Sequence, residues 1–143
     1  MGTAMETCRG VVYPWQMDHM DHMNVQFYTA RFDEATWHFF ALIGITPGYL
    51  KQNRRGMAAV EQRTLYKREL HPGALIRVTS ELLEVKAKGI RFLHRMYDTQ
   101  TGEEVATTEI FGVHLDTDTR KAVPYPQDLV KWPTVADAPA KSA

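Results

Sequence analysis

Cysteine is nearly absent: Cys8 is the only one in 143 residues. A single thiol excludes an internal disulfide framework and suits a reducing compartment. Cys8 itself is expected to be a partly buried thiol without a role. Net charge is also missing, because 17 Lys and Arg balance 17 Asp and Glu. That leaves no global basic excess of the kind a nucleic-acid partner usually meets. No segment approaches the roughly 20 apolar residues that span a bilayer. The opening MGTAMETCRG has no apolar run of signal-peptide type. It also carries Glu6 where a myristoylation signal wants Ser or Thr, and the final KSA is not a peroxisomal address. These absences set the expectation of a soluble cytoplasmic protein with no nucleic-acid and no membrane partner.

What is present fits one domain over residues 1–143, with a hydrophobic share of 44% and an aromatic share of 10%. The apolar run in CRGVVYPW predicts a strand near 9–14, ended by Pro14. The apolar positions Val25, Tyr28, Phe32, Ala35, Phe39 and Leu42 follow at intervals of 3, 4, 3, 4 and 3. That stripe predicts a helix over about 25–43, with Asn24 as N-cap and Gly44 as terminator. Phe27, Trp37, Phe40 and Ile43 lie off the stripe, so the helix is expected to be covered on more than one side. TPGYLKQNRRG reads as a connection. Strands are then predicted over 57–70, 74–86, 90–98 and 104–115, separated by the turns HPG, AKG and TQTGE. In the third of these, Ile90 and Phe92 are set against Arg91 and His94. Sequential hairpins predict an antiparallel sheet, and one apolar helix needs that sheet as a partner. The expected fold is α+β, five strands wrapped around one long helix, with a core over about 9–117. The proline-containing tail over 118–143 is expected to be partly disordered.

Between the first strand and the helix stands WQMDHMDHMN, with Asp18, His19, Asp21 and His22 inside five residues. Three readings compete. The four side chains could ligate a divalent ion, although ligands this crowded seldom converge on one ion. They could form a solvated polar turn. Or one carboxylate could act as a base or nucleophile.

The stretch QMDHMDHMNVQFY resembles the signature D-x-D-x-x-G-H-x-N-N-x-x-Y of the hotdog-fold acyl-CoA thioesterases. The resembling branch is typified by 4-hydroxybenzoyl-CoA thioesterase. Asp18 falls on the second aspartate, His22 on the His, Asn24 on the first Asn and Tyr28 on the Tyr. RFDEAT resembles the helix continuation, and YKRELHPGALIRV the second strand, turn and third strand. Gln16 replaces the first aspartate and Asp21 the usual Gly, so the loop carries a residue less suited to positive φ.

The resemblance implies hydrolysis of a thioester to a free acid and CoA, with CoA as part of the substrate and no separate cofactor or metal. It implies Asp18 as base or nucleophile and the Val25 N–H, at the positive end of the helix, as donor to the oxyanion. His22 and Asn24 complete the catalytic set, His22 as an orienting group and Asn24 as the cap. The acyl pocket is expected from Phe27, Tyr28 and Arg31. Lys67, Arg68, Lys88 and Arg91 are the cations expected for CoA phosphates. A cationic acyl group would suit aromatic walls. Glu34 is the runner-up carboxylate, with its neighbour Asp33 and then Glu61 behind it. A homodimer or homotetramer is implied. The alternative is a hotdog module that binds acyl-CoA or acyl-carrier thioesters without turning them over.

Overall fold

The structure is a computed structural model and describes residues 4–131. Strand β1 (Met5–Val11) leads through a short 3-10 turn at Pro14–Gln16 and the Asp-His loop into helix α1 (Val25–Leu42). Helix α2 (Pro47–Asn53) follows, and then β2 (Arg55–Tyr66), β3 (Leu75–Lys86), β4 (Gly89–Asp98) and β5 (Glu104–Asp116). The five strands form one antiparallel sheet in the order β1-β3-β4-β5-β2.

The α+β architecture and the long helix agree with expectation, and four details differ. β1 starts at Met5, because Met5 and Thr7 already alternate into the core at 1% and 6% exposure. TPGYLKQNRRG holds α2: the Thr46 side chain accepts from the Tyr49 N–H at 3.0 Å, Pro47 opens the helix, and Arg54 closes it at φ +54°. β2 stops at Tyr66, since the N–H groups of Lys67 and Arg68 both turn to the Val105 carbonyl. The tail folds back as far as residue 131. Tyr125, Leu129 and Val130 pack on the core around Phe39, and the Lys131 N–H donates to the Ile43 carbonyl at 2.9 Å. The remaining tail, 132–143, lies outside the described residues.

The order of strands also departs from a run of hairpins. β3, β4 and β5 are hairpin neighbours, but β2 lies at the far edge beside β5. The 67–74 connection therefore crosses the end of the sheet. Leu70 anchors it, 2% exposed, and its carbonyl accepts the Met23 N–H at 2.8 Å.

α1 buries Tyr28, Phe32, Ala35, Phe39 and Phe40. It packs over β1 and β3, while its stripe ends Val25 and Leu42 stay 51% and 41% exposed. Off the stripe, Phe40 and Ile43 are buried and Phe27 packs on the core, while Trp37 stays 43% exposed, so the cover extends beyond the stripe but leaves one long face open. β2 is left open as well, with Val60, Leu65 and Tyr66 exposed.

The core falls into two apolar clusters, one around Phe32, Val78 and Met96 and one around Phe39, Leu82 and Phe92. Between them runs a polar row in register, buried at Ser80, His94 and Thr108 and half-buried at Thr64: Ser80 faces His94, His94 faces Thr108, and Thr108 faces Thr64. His94 shares the inward face of β4 with Ile90, Phe92 and Met96, which corrects its assignment to the Arg91 side. Its Nδ1 lies 2.6 Å from Ser80 Oγ and its Nε2 2.8 Å from Thr36 Oγ1. Burial pushes its pKa down to about 3, so the ring is neutral.

Candidate active site

The Asp-His loop is closed at its base by a bridge between Met17 and Met23. The Asp18 N–H donates to the His22 carbonyl at 3.3 Å, and the Asp21 N–H donates to the Asp18 carbonyl at 3.0 Å. Asp21 sits at φ +66°, the left-handed conformation a glycine would take there without strain. Aspartate tolerates it better than most residues, so the turn survives the replacement.

Asn24 joins the loop to the helix. Its Oδ1 accepts from the Gln26 N–H at 3.0 Å, which caps α1, and its Nδ2 donates to Asp18 Oδ2 at 2.7 Å. Asp18 Oδ1 accepts from the Met20 N–H at 2.8 Å. These two bonds, Asn24 first, hold the Asp18 carboxyl below the usual carboxylate range, so it is ionised at neutral pH. The Phe27 N–H is met by the Asn24 carbonyl at 3.0 Å. The first amide of the helix, Val25 N–H, has no acceptor among the described residues. An anionic oxygen there would meet both an open donor and the positive end of an 18-residue helix.

His22 is partly buried, with Nδ1 3.3 Å from the Met23 carbonyl and Nε2 3.8 Å from Glu69 Oε1. His19 and Asp21 are exposed. Among the described residues no group of three or more His, Cys, Asp or Glu side chains is placed to hold a metal ion.

A cavity of about 190 Å³ opens beside Val25 and His22, walled by Tyr28 and Tyr66 and rimmed by Lys67, Arg68 and Glu69. The Tyr28 and Tyr66 rings meet edge-on at 5.2 Å, and the Tyr28 OH donates to the Arg68 carbonyl at 3.0 Å. The crossing 67–74 segment thereby brings two of the four expected cations to the loop. Lys67 is paired with Glu104, and Arg68 with Glu103 at 2.9 Å.

The other two are not brought there. Lys88 and Arg91 stand at the start of β4, while the loop lies by its end, so about 20–30 Å of strand separates them from it. Arg91 is also committed to Glu61 at 3.0 Å and Glu109 at 3.3 Å. Phe27 and Arg31 are likewise displaced from the expected pocket. Phe27 packs on the core. Arg31 reaches Glu34 at 3.3 Å and the Val11 carbonyl at 3.5 Å, on the β1 side of α1. Glu34 accepts from the Cys8 thiol at 3.5 Å, and burial pushes that thiol up to about 11. Neither Glu34 nor Glu61 faces the loop. Asp33, named beside Glu34 as a helix carboxylate, lines a second groove with Thr29 and Trp37; those two were not expected at a site, although their spacing of four is visible in the sequence.

The model of the thioesterase-like superfamily matches residues 12–132 of this chain. The chain belongs to that superfamily. It is 31% identical over 134 residues to an L-carnitine dehydrogenase/betainyl-CoA thioesterase of Ruegeria pomeroyi, covering 92% of this chain and 26% of that protein. A second protein of that description, from Rhizobium meliloti, is 27% identical, covering 87% of this chain and 25% of that protein. The chain thus spans about a quarter of the length of these two relatives. A betainyl-CoA thioesterase of Pseudomonas aeruginosa is 23% identical over 91% of this chain and 82% of its own. Among solved structures, a Staphylococcus aureus protein in complex with CoA superposes with a TM-score of 0.81 at 19% identity, over 90% of this chain and 80% of that chain. A probable thioesterase from Escherichia coli gives 0.75 at 21% identity, over 87% and 92%. At these identities the structures establish the hotdog fold.

Proposed function

We propose that this chain is an acyl-CoA thioesterase and that Asp18 is its catalytic carboxylate. The observation that carries the reading is the coupling of an ionised Asp18, through Asn24, to a helix whose first amide, Val25 N–H, has no acceptor. In the proposed step Asp18 takes a proton from water as the oxygen adds to the thioester carbonyl carbon. The carbonyl oxygen gains the negative charge and is held by the Val25 N–H. The C=O double bond re-forms, the C–S bond breaks, and CoA leaves as a thiolate that needs no strong acid. His22 orients the loop rather than the water, since its ring faces Glu69 and the backbone. Lys67 and Arg68, at the rim, meet the CoA phosphates by exchanging their present carboxylate partners for phosphate oxygens.

The names of the relatives support thioester hydrolysis and put acyl groups bearing a quaternary ammonium first among the candidates. The positive φ of Asp21 removes the reason for preferring a binding module, because the turn keeps the conformation a glycine would give it. The open face of α1 and the exposed β2 edge support a homodimer, in which a second copy covers that half of the sheet.

The test is thiol release from acyl-CoAs with short, long, aromatic and cationic acyl groups, for wild type and Asp18→Asn. Wild type is expected to cleave at least one, and Asp18→Asn to lose about 100-fold or more in kcat while keeping its circular dichroism. Full activity in folded Asp18→Asn would place the acid elsewhere.

A further inference from the structure

Because α1 sits over β1 and β3, its opposite long face looks across open space toward β2. Val25, Thr29, Asp33 and Trp37 recur at intervals of four and so form one row along that face. The row starts at the open Val25 amide. About 12 Å further along the axis the groove deepens into a cavity of about 170 Å³. Its lining includes Asp33, Thr36, Trp37 and Phe40 from α1, Gln62 from β2 and Phe92 from β4.

Three observations give this cavity a chemical preference. The Asp33 carboxylate makes no hydrogen bond or ion pair among the described residues, whereas Glu34 and Glu61 nearby are each paired with an arginine. No Lys, Arg or His lines it, so an anionic acyl end finds no cationic partner. Four of its lining side chains are aromatic, Phe32, Trp37, Phe40 and Phe92, with Trp37 edge-on to Phe40 at 5.7 Å and Phe40 edge-on to Phe92 at 5.4 Å. A carboxylate facing π surfaces attracts a cation. The Thr36 hydroxyl is already engaged by the Phe32 carbonyl and His94. A primary ammonium would have to reach Asp33 and Thr29 on α1 and Gln62 on β2 at once to satisfy its three N–H donors, while a methylated ammonium has no donor to satisfy.

We propose that this cavity is the end of the acyl pocket, and that Asp33, with Trp37 and Phe40, selects acyl groups ending in a methylated ammonium. The assignment rests on the thioesterase reading and adds to it the residues that choose the acyl group. The run along α1 from Val25 to Asp33 favours a chain of several atoms between thioester and nitrogen. The Asp33 side chain shortens that run by leaning toward the helix N-terminus.

The test uses Asp18→Asn protein, so that ligands survive, and titration calorimetry with matched pairs. One member of each pair ends in trimethylammonium and the other in a tert-butyl group of the same shape. The pairs are 2-trimethylammonioacetyl-CoA with 3,3-dimethylbutyryl-CoA and 4-trimethylammoniobutyryl-CoA with 5,5-dimethylhexanoyl-CoA. We expect the cationic member to bind about ten-fold tighter or more, most clearly in the longer pair. Adding Asp33→Asn should bring the ratio near one while leaving the tert-butyl ligands unchanged, and adding Asp33→Glu should preserve it. The unchanged neutral ligand is the control that the cavity remains folded. A ratio near one before Asp33 is altered, or a ratio that survives Asp33→Asn, overturns the assignment. Cation-selective binding with no thiol release by wild type would overturn the thioesterase reading alone. Thiol release without cation preference would overturn the Asp33 assignment alone.

Discussion

Lowering the pH should destabilise this protein well above the range where its carboxylates protonate, and His94 is the reason. An unfolded histidine takes up a proton near 6.5, but in the fold burial holds His94 down to about 3. Below 6.5 the unfolded chain binds a proton that the folded chain does not, so stability is full above that pH and falls as pH falls. With about 1.4 kcal/mol per unit of separation, going from pH 7 to pH 5 removes about 2 kcal/mol, and pH 4.5 removes about 2.6 kcal/mol. Asp18, Glu104 and Asp116 are held low by their partners and lose their stabilisation only below their unfolded pKa values, near 4. His114, also pushed down by burial, contributes in the same direction in the same window. The discriminating variant is His94→Phe. Ser80 keeps Thr7 as a partner at 2.7 Å, Thr36 keeps the Phe32 carbonyl at 2.9 Å, and the new ring can lie against Phe32 as the imidazole does. Urea unfolding at half-unit steps from pH 7 to 4.5 should show the wild-type decline and a shallower one in His94→Phe. The variant should be weaker at pH 7 by about 1–3 kcal/mol for the lost polar partner. Wild-type stability that is flat between pH 7 and 5, or equal slopes in the two proteins, would refute the buried neutral histidine.

Asn24→Ala removes the cap of α1 and the donor that holds Asp18 in one step. Thermal unfolding should show a loss of about 1–2 kcal/mol, and turnover should fall further than that loss explains. A variant that loses stability but keeps kcat would detach Asn24 from the chemistry. Sedimentation velocity at micromolar concentration should give twice the 16.4 kDa mass of one chain; a single-chain mass would mean that the open half of the sheet is not a self-interface.

Local signals carried far in this chain. The 3-4 spacing from Val25 to Leu42 and the residues Asn24 and Gly44 set the helix within one residue of its observed ends. The Asp18–Asn24–Val25 cluster was legible because loop, cap and helix start are contiguous, so the eight residues from Asp18 to Val25 hold their own geometry. The turns at HPG, AKG and TQTGE were legible for the same reason. Where the sequence left placement open, the deciding contact was remote. Strand direction, which the sequence does not give, places Arg91 at the end of the sheet away from the loop, beside Glu61 and Glu109. Phe27 and Arg31 looked like pocket residues because helix periodicity shows which positions share a face and not what that face meets.

By itself, then, the sequence determined the helix, its caps, the Asp-His loop and the strand-forming segments, all products of neighbouring residues acting through backbone propensity and short-range hydrogen bonds. Tertiary structure alone decided that β2 crosses to the far edge, that Ser80, His94 and Thr108 align in one buried row, and that α1 leaves Asp33 facing an open groove. Those outcomes depend on which strands pair and in what register, a matter of burying one continuous apolar surface across residues far apart in the chain.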